Sequence, residues 1–230
     1  DAVICYKNAI KINPYFSEAY NNLGVSFKSL NDIDNAIICY RKAILYKSNY
    51  PEAYNNLGNA LLLKNLYNEA SKNYRKAIEI NKNYAEAHNN LGTALQQIGN
   101  IDEAINSFKK ALEINPNEAD AHWNLSILQL YSGDYDSGWK NYEWREKNKN
   151  PIKPHANPNI PQWKGEELKA KDKLLIVSEQ GLGDSLQFMR YIKCLREKKI
   201  NVSFCAQEKL HTIIKDSAID ENPLTADEGN

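Results

Sequence analysis

No single charge sign dominates this 230-residue chain, in which 29 Lys and Arg stand against 29 Asp and Glu. The balance also holds within residues 1–118, so there is no electrostatic footprint for nucleic acid or an anionic lipid surface. No apolar run approaches the roughly 18 residues that a membrane-spanning helix requires, and no basic-then-apolar leader opens the chain. Cysteine is sparse. Cys5, Cys39, Cys194 and Cys205 are scattered without a C-x-x-C pair, which argues against a disulfide framework or a metal site. The expectation is free, buried thiols in a reducing cytoplasm, with Cys5 and Cys39 packed at the same place in successive repeats.

What the chain does have is a repeated tetrad. Asn21-Asn22-Leu23-Gly24 returns as Asn55-Asn56-Leu57-Gly58 and as Asn89-Asn90-Leu91-Gly92, with a degenerate copy at Trp123-Asn124-Leu125-Ser126. Each copy lies 34 residues from the last. A fixed period of that size marks a stacked array of helical hairpins. Tyr20, Leu23, Gly24 and Phe27 follow the i, i+3, i+4, i+7 stripe of an amphipathic helix, as do Tyr54, Leu57, Gly58 and Leu61. A second helix carries Ala36, Tyr40 and Ala43, then Ala70, Tyr74 and Ala77, then Ala104, Phe108 and Ala111. Small residues permit close helix approach, and the aromatic ring is expected to fill the gap between neighbouring hairpins. Asn31-Asp32, Gly99-Asn100 and Gly133-Asp134 read as the turns inside hairpins. The repeats run 17–50, 51–84, 85–118 and, degenerate, 119–150, preceded by a half repeat over 1–16. Because no hairpin can bury its apolar face alone, the core is shared.

These residues resemble the tetratricopeptide repeat family over 1–150. The resemblance implies a right-handed superhelix of helical hairpins whose first helices line a concave groove that binds a peptide or protein. The second asparagine of each tetrad (Asn22, Asn56, Asn90, Asn124) precedes the core leucine and is expected to face that groove. A primary amide donates and accepts, so a ladder of them suits the backbone of an extended peptide. The row looks like the asparagine ladder of superhelical O-linked N-acetylglucosamine transferases; the alternative is a frequent consensus residue that bonds the backbone of the next repeat. Glu18, Glu52, Glu86 and Asp120 recur in the first helical turn, where they favour the positive end of the macrodipole or recognise a basic partner. His88 and His122 replace Tyr20 and Tyr54 and are expected to pack, with no metal held.

Past Gly133 the pattern decays through Gly138-Trp139 and Trp144-Arg145, large surfaces that suit something docking there. Residues 151–163 hold four of the eight prolines and form a stiff connector that ends on Trp163 as an anchor. From 164 to 230 the reading is the incomplete start of an α/β domain. Leu174 to Ser178 is a buried parallel strand. Gly181-Leu182-Gly183-Asp184 follows, then a helix over Leu186 to Leu195, a strand over Asn201 to Cys205 and a helix near Leu210–Ile214. This is a βαβ unit. Taken alone, the glycine turn lacks the third glycine of a dinucleotide fingerprint and the Lys-Ser/Thr of a P-loop, and Asp184 could simply cap a helix starting near Ser185.

The runs GDYDSGWKNYEWR, PQWKGEEL and KLLIVSEQGLGDSLQFMRYI resemble bacterial proteins that fuse tetratricopeptide repeats to a heptosyltransferase-like glycosyltransferase of the GT-B fold. The resemblance implies Asp184 as general base toward an acceptor hydroxyl, Gly181 and Gly183 beside acceptor or donor, and a nucleotide sugar as donor. A GT-B enzyme has two Rossmann-like halves, and the chain stops after two strands of the first, so it reads as a fragment open at both ends. The fragment itself is expected to bind and not to turn over. The alternative is a pure interaction scaffold with an inactive α/β remnant; an NAD-binding domain is a remote third.

Overall fold

The computed structural model describes residues 2–147, 155–156, 158–163, 165–168, 171–178 and 181–229; the side-chain surroundings of residues 146, 183 and 184 lie outside that description. Two compact units divide the chain, Asp1–Lys149 and Asn150–Asn230.

The first unit is helical. In order it holds α1 (Ala2–Ile12), α2 (Ser17–Ser29), α3 (Ile33–Tyr46), α4 (Pro51–Leu63), α5 (Tyr67–Ile80), α6 (Ala85–Ile98), α7 (Ile101–Ile114), α8 (Ala119–Ser132) and α9 (Tyr135–Tyr142). A 3-10 turn over Glu143–Lys147 follows α9. The hairpin turns have a common physical basis, a left-handed residue that ends the first helix. Asn31 (φ 60) and Asn65 (φ 59) supply it in two repeats, Gly99 (φ 89) and Gly133 (φ 87) in the next two. Asp32 and Asp134 then cap α3 and α9, accepting from Asn35 N at 3.3 Å and Ser137 N at 3.2 Å. Pro51 opens α4 at its first turn, where a missing N–H costs nothing.

Each hairpin closes on one contact. A Cβ added to Gly24 would lie 2.6 Å from the Tyr40 ring; at Gly58 the distance is 2.5 Å to Tyr74, and at Gly92 it is 2.6 Å to Phe108. The aromatic ring therefore seats on the glycine of its own hairpin while it joins the core shared with the next one. One core then runs through the repeats: Tyr40, Leu57, Leu61, Tyr74, Leu91, Leu95, Phe108, Leu125 and Leu128 belong to one cluster. The thiols divide. Cys39 is buried, but Cys5 is exposed, because α1 buries none of its residues. Cys194 in the second unit is exposed as well.

In the second unit β1 (Lys173–Val177) pairs in parallel with β2 (Asn201–Cys205), Leu174 opposite Val202 and Ile176 opposite Phe204. The crossover is two helices, α10 (Leu182–Phe188) and α11 (Arg190–Glu197), broken at Met189, where the sequence suggests one. A 3-10 turn leads from β2 into α12 (His211–Asp216), and α13 (Ala226–Gly229) lies near the end. An isolated parallel bridge, Cys205 to Leu224, adds one residue of a third strand beside β2. Ile192, Val202, Phe204, Leu210 and Ile214 form this unit's own core. Arg196 clasps it, donating to Ile219 O at 2.6 Å, Val202 O at 2.8 Å and the Asp220 carboxylate at 2.7 Å. The expected anchor Trp163 is 44% exposed, and its indole N–H donates to Glu166 O at 2.7 Å. Residues 151–154 and 157 of the connector lie outside the described residues.

The seated rings differ in their hydroxyls. Tyr74 donates to Asn59 Oδ1 at 2.8 Å, whereas the buried Tyr40 hydroxyl has no hydrogen-bond partner among the described residues. The residue corresponding to Asn59 in that repeat is Val25, which offers none. Burial chiefly pushes the Tyr40 hydroxyl up to about 12, so it stays protonated. Tyr74→Phe is expected to lower stability by about 1 kcal/mol, the net worth of one hydrogen bond, while Tyr40→Phe is neutral or stabilising. Urea midpoints of the two variants, followed by circular dichroism, check this; equal losses would show that the two hydroxyls do the same thing.

Candidate functional site

The first helices of the four hairpins, α2, α4, α6 and α8, touch in succession, so each tetrad lies beside the next. Adjacent residues on a helix point about 100° apart, and the two asparagines of a tetrad part company. The first is buried: Asn21 is 6%, Asn55 1% and Asn89 8% exposed. The second is at the surface, with Asn22 exposed and Asn56, Asn90 and Asn124 half-buried.

The two sets join across repeats. Asn56 Nδ2 donates to Asn21 Oδ1 at 3.0 Å, Asn90 Nδ2 to Asn55 Oδ1 at 3.0 Å, and Asn124 Nδ2 to Asn89 Oδ1 at 3.2 Å. Asn90 also reaches Asn59 Oδ1 at 3.0 Å, the oxygen that takes the Tyr74 hydroxyl. Asn55 in turn donates to Glu86 Oε1 at 3.1 Å. Glu86 and Asn90 stand one turn apart on α6, so together they grip Asn55 of α4. The ladder is thus partly consumed in holding repeats together, through side chains and not through the backbone. Among the described residues, the Oδ1 atoms of Asn56, Asn90 and Asn124 accept no hydrogen bond. Sequence reasoning missed Asn21, Asn55 and Asn89; the signal was a second amide in each of the three full tetrads, one more than backbone recognition needs.

The acidic residues take up individual roles. Lys47 Nζ sits 2.6 Å from Glu18 Oε1. That contact, with the Ser17 hydroxyl second, holds the Glu18 carboxyl down to about 2. Glu52 and Glu86 are exposed in their first turns.

The histidines pack and bond locally. His88 Nε2 lies 3.1 Å from Lys82 O. His122 Nε2 lies 2.9 Å from Pro116 O, Nδ1 lies 2.7 Å from Asn141 Oδ1, and the ring stacks on Trp144 with centroids 4.2 Å apart. Trp144 thus has a partner inside its own unit, while Trp139 remains 56% exposed. Among the described residues no cluster of His, Cys, Asp or Glu could hold a metal ion.

In the second unit an open cavity of about 450 Å³ lies at the carboxyl ends of β1 and β2, lined by His155, Gly181, Leu182, Gln207, Glu208, Lys209 and Ala226. Gly181 adopts φ −61, ψ 170, a conformation open to any residue, and a Cβ there would meet nothing within 4 Å. The glycine leaves space and relieves no strain. Helix α10 begins at Leu182 and not near Ser185, with Gly181 at its N-cap position, so Asp184 stands inside its first turn; its side chain and the surroundings of Gly183 lie outside the described residues. Ser178 and Ser185 both donate to Gln207 Oε1 at 3.2 Å, fastening the start of α10 to the end of β2.

Models of the tetratricopeptide repeat match residues 5–38, 26–65, 58–99 and 85–118. Among solved structures, the chain is similar to a crystal structure of MamA at 25% identity and TM-score 0.57, covering 62% of this chain and 83% of that one. MamA residues 41 to the end from Desulfovibrio magneticus RS-1 match at 18% identity and TM-score 0.57, covering 64% and 86%. The first tetratricopeptide domain of Spaghetti (RPAP3), bound to the HSP90 peptide SRMEEVD, matches at 21% identity and TM-score 0.50, covering 51% and 93%. None of the curated proteins compared matches the chain. No helix among the described residues is long and apolar enough to cross a membrane.

Two outcomes follow from the network. Asn55→Ala strips partners from Asn90 and Glu86 inside the array and is expected to cost about 1–3 kcal/mol, whereas Asn22→Ala stays within about 0.5 kcal/mol. Chemical denaturation of the pair decides whether buried or surface amides hold the repeats. Glu18, depressed in the folded state from 4.5 to about 2, contributes stability that is complete above pH 4.5 and lost as pH falls to 2. Lys47→Met should move the Glu18 titration, read by carboxyl-carbon NMR, back toward 4.5; an unmoved titration would assign the depression to another cause.

Proposed function

Because residues 5–118 are tetratricopeptide repeats, we propose that the chain is a scaffold that captures an extended peptide or protein segment along α2, α4, α6 and α8. The observation that carries this is the row of amide oxygens on Asn56, Asn90 and Asn124, one on each of three successive hairpins, which accept no hydrogen bond among the described residues. An extended backbone presents N–H groups to such a row whatever its side chains. Asn22, exposed beside the row, accepts from Asn21 Nδ2 at 3.3 Å and offers its N–H groups instead.

We further infer that residues 164–230 belong to a GT-B glycosyltransferase domain, to which the repeats deliver an acceptor. Support comes from the parallel β1–β2 pair, the helical crossover, the bridge at Leu224 beside β2, and the cavity at the carboxyl ends of the strands, where open α/β sheets bind ligands. In this reading Asp184 takes the proton from an acceptor hydroxyl as its oxygen attacks the anomeric carbon of a nucleotide sugar, and the nucleoside diphosphate leaves. The same reading assigns Gly181, where a Cβ would meet nothing within 4 Å, and Gly183 to the ligand. The second reading, a pure interaction scaffold with an inactive α/β unit, draws on the small size of the sheet.

Nucleotide-sugar consumption by the full-length polypeptide separates the two. With a panel of UDP-, GDP- and ADP-sugars, Asp184→Asn is expected to lower turnover about 10²–10⁴-fold with the fold intact by circular dichroism, the usual contribution of a general base. Absent turnover, or equal turnover in the variant, would remove Asp184 from catalysis and leave the scaffold alone.

A further inference from the structure

The face that carries the ladder also carries a chemical preference. On each first helix the residues three and seven places after the ladder asparagine share its side of the helix. Three places on stand Val25, Asn59, Thr93 and Ile127; seven places on stand Ser29, Leu63, Gln97 and Tyr131. With the asparagines themselves, every one of these positions is uncharged, in a chain whose residues are 25% charged. The stripe is also accessible: Val25 and Ile127 are 38% exposed, Leu63 60% and Tyr131 84%. One turn before each ladder asparagine stands a carboxylate, Glu18, Glu52, Glu86 or Asp120. Lys28 is the sole Lys or Arg of these four helices.

From this charge distribution we propose that the face selects an extended, uncharged peptide segment rich in Ser, Thr, Asn and aliphatic residues, and rejects acidic ones. The proposal rests on the peptide-binding reading above and gives it a partner class. A carboxylate laid along the stripe would lose water without gaining an ammonium or guanidinium, and would approach a row of like charges. A cationic peptide gains little in exchange, because Lys47 already balances Glu18 and an ion pair to the exposed Glu52 or Glu86 adds little in water. Uncharged side chains meet amides, hydroxyls and apolar surface at every repeat, while backbone N–H groups reach the asparagine oxygens. The preference is then built from what is missing as much as from what is present, which is how many interfaces obtain specificity.

Fluorescence anisotropy with three degenerate peptide pools of equal length tests this: one of Ser, Thr, Asn and Val, one with Asp and Glu interspersed, one with Lys interspersed. The chain is expected to bind the neutral pool at least about tenfold more tightly than the acidic pool, a difference of 1.4 kcal/mol, with little dependence on salt. Adding cations at exposed stripe positions, in the triple variant Ser29→Lys, Leu63→Lys and Gln97→Lys, should reverse the order while leaving the helical circular dichroism unchanged. Equal or tighter binding of the acidic or the basic pool by the unaltered chain overturns the partner class and leaves peptide capture standing. Binding of no pool overturns peptide capture itself, and the partner class with it.

Discussion

The array depends on three glycines that have no room for a side chain. At Gly24, Gly58 and Gly92 a methyl group would stand 2.5 to 2.6 Å from a ring of the second helix, well inside contact distance. The rings at Gly58 and Gly92 belong to Tyr74 and Phe108, buried completely, and cannot swing away without opening the core. The separation of the two helices in each hairpin is therefore set by the missing Cβ. Once that seat fixes the rotation of the first helix, Leu57 must face inward and Asn56 outward, and the surface available to a partner is decided. Packing here defines the binding face before any binding residue is considered.

The amides do two jobs that compete. Asn90 commits its donor group to both Asn55 and Asn59, so toward a partner it offers its oxygen. Asn56 and Asn124 each make one such bond and keep a second N–H. Asn22 instead accepts from Asn21 at 3.3 Å and commits no donor. The ladder is regular in sequence and unequal in chemistry. A partner that needs both donor and acceptor from Asn90 must displace inter-repeat hydrogen bonds, each worth about 0.5–1.5 kcal/mol. Recognition by the middle of the row is therefore coupled to the cohesion of the array.

The repeats were legible because their signals are local: a 34-residue period, an amphipathic stripe in the first helix of each repeat, and Asn or Gly at three of the four hairpin turns. Three hairpin boundaries follow from Asn31, Gly99 and Gly133 without any knowledge of tertiary structure, whereas the turn at Asn65 shows itself only through its left-handed backbone. Which of two consecutive asparagines is buried was not legible, because that depends on how one hairpin turns against the next. Asn21, Asn55 and Asn89 gain their meaning only from a partner 35 residues away. In the fourth repeat Trp123 takes this place and packs on Tyr142, centroids 5.1 Å apart, so the amide network ends where an aromatic contact replaces it. The second unit was legible as strand, helix, strand from its apolar runs. The Leu224 bridge was not, since a single pairing leaves no periodicity to detect. The start of α10 also moved, and with it Asp184 changed from a cap to a first-turn residue.

The carboxylates at the helix starts connect stability to selectivity. Each of Glu18, Glu52, Glu86 and Asp120 occupies the end of a helix where the backbone N–H groups point outward unpaired, and each contributes about 0.3–1 kcal/mol there. Helix stability alone suffices to explain why the acids recur at every repeat. Yet a regular array turns any recurring residue into a row, and this row runs beside the amides that a partner would touch. No cation on the uncharged stripe offsets it. A feature that stabilises single helices thus gives the assembled face a sign, and a partner must be compatible with that sign whatever else it offers. In a repeat protein, requirements of the single hairpin become properties of the whole surface.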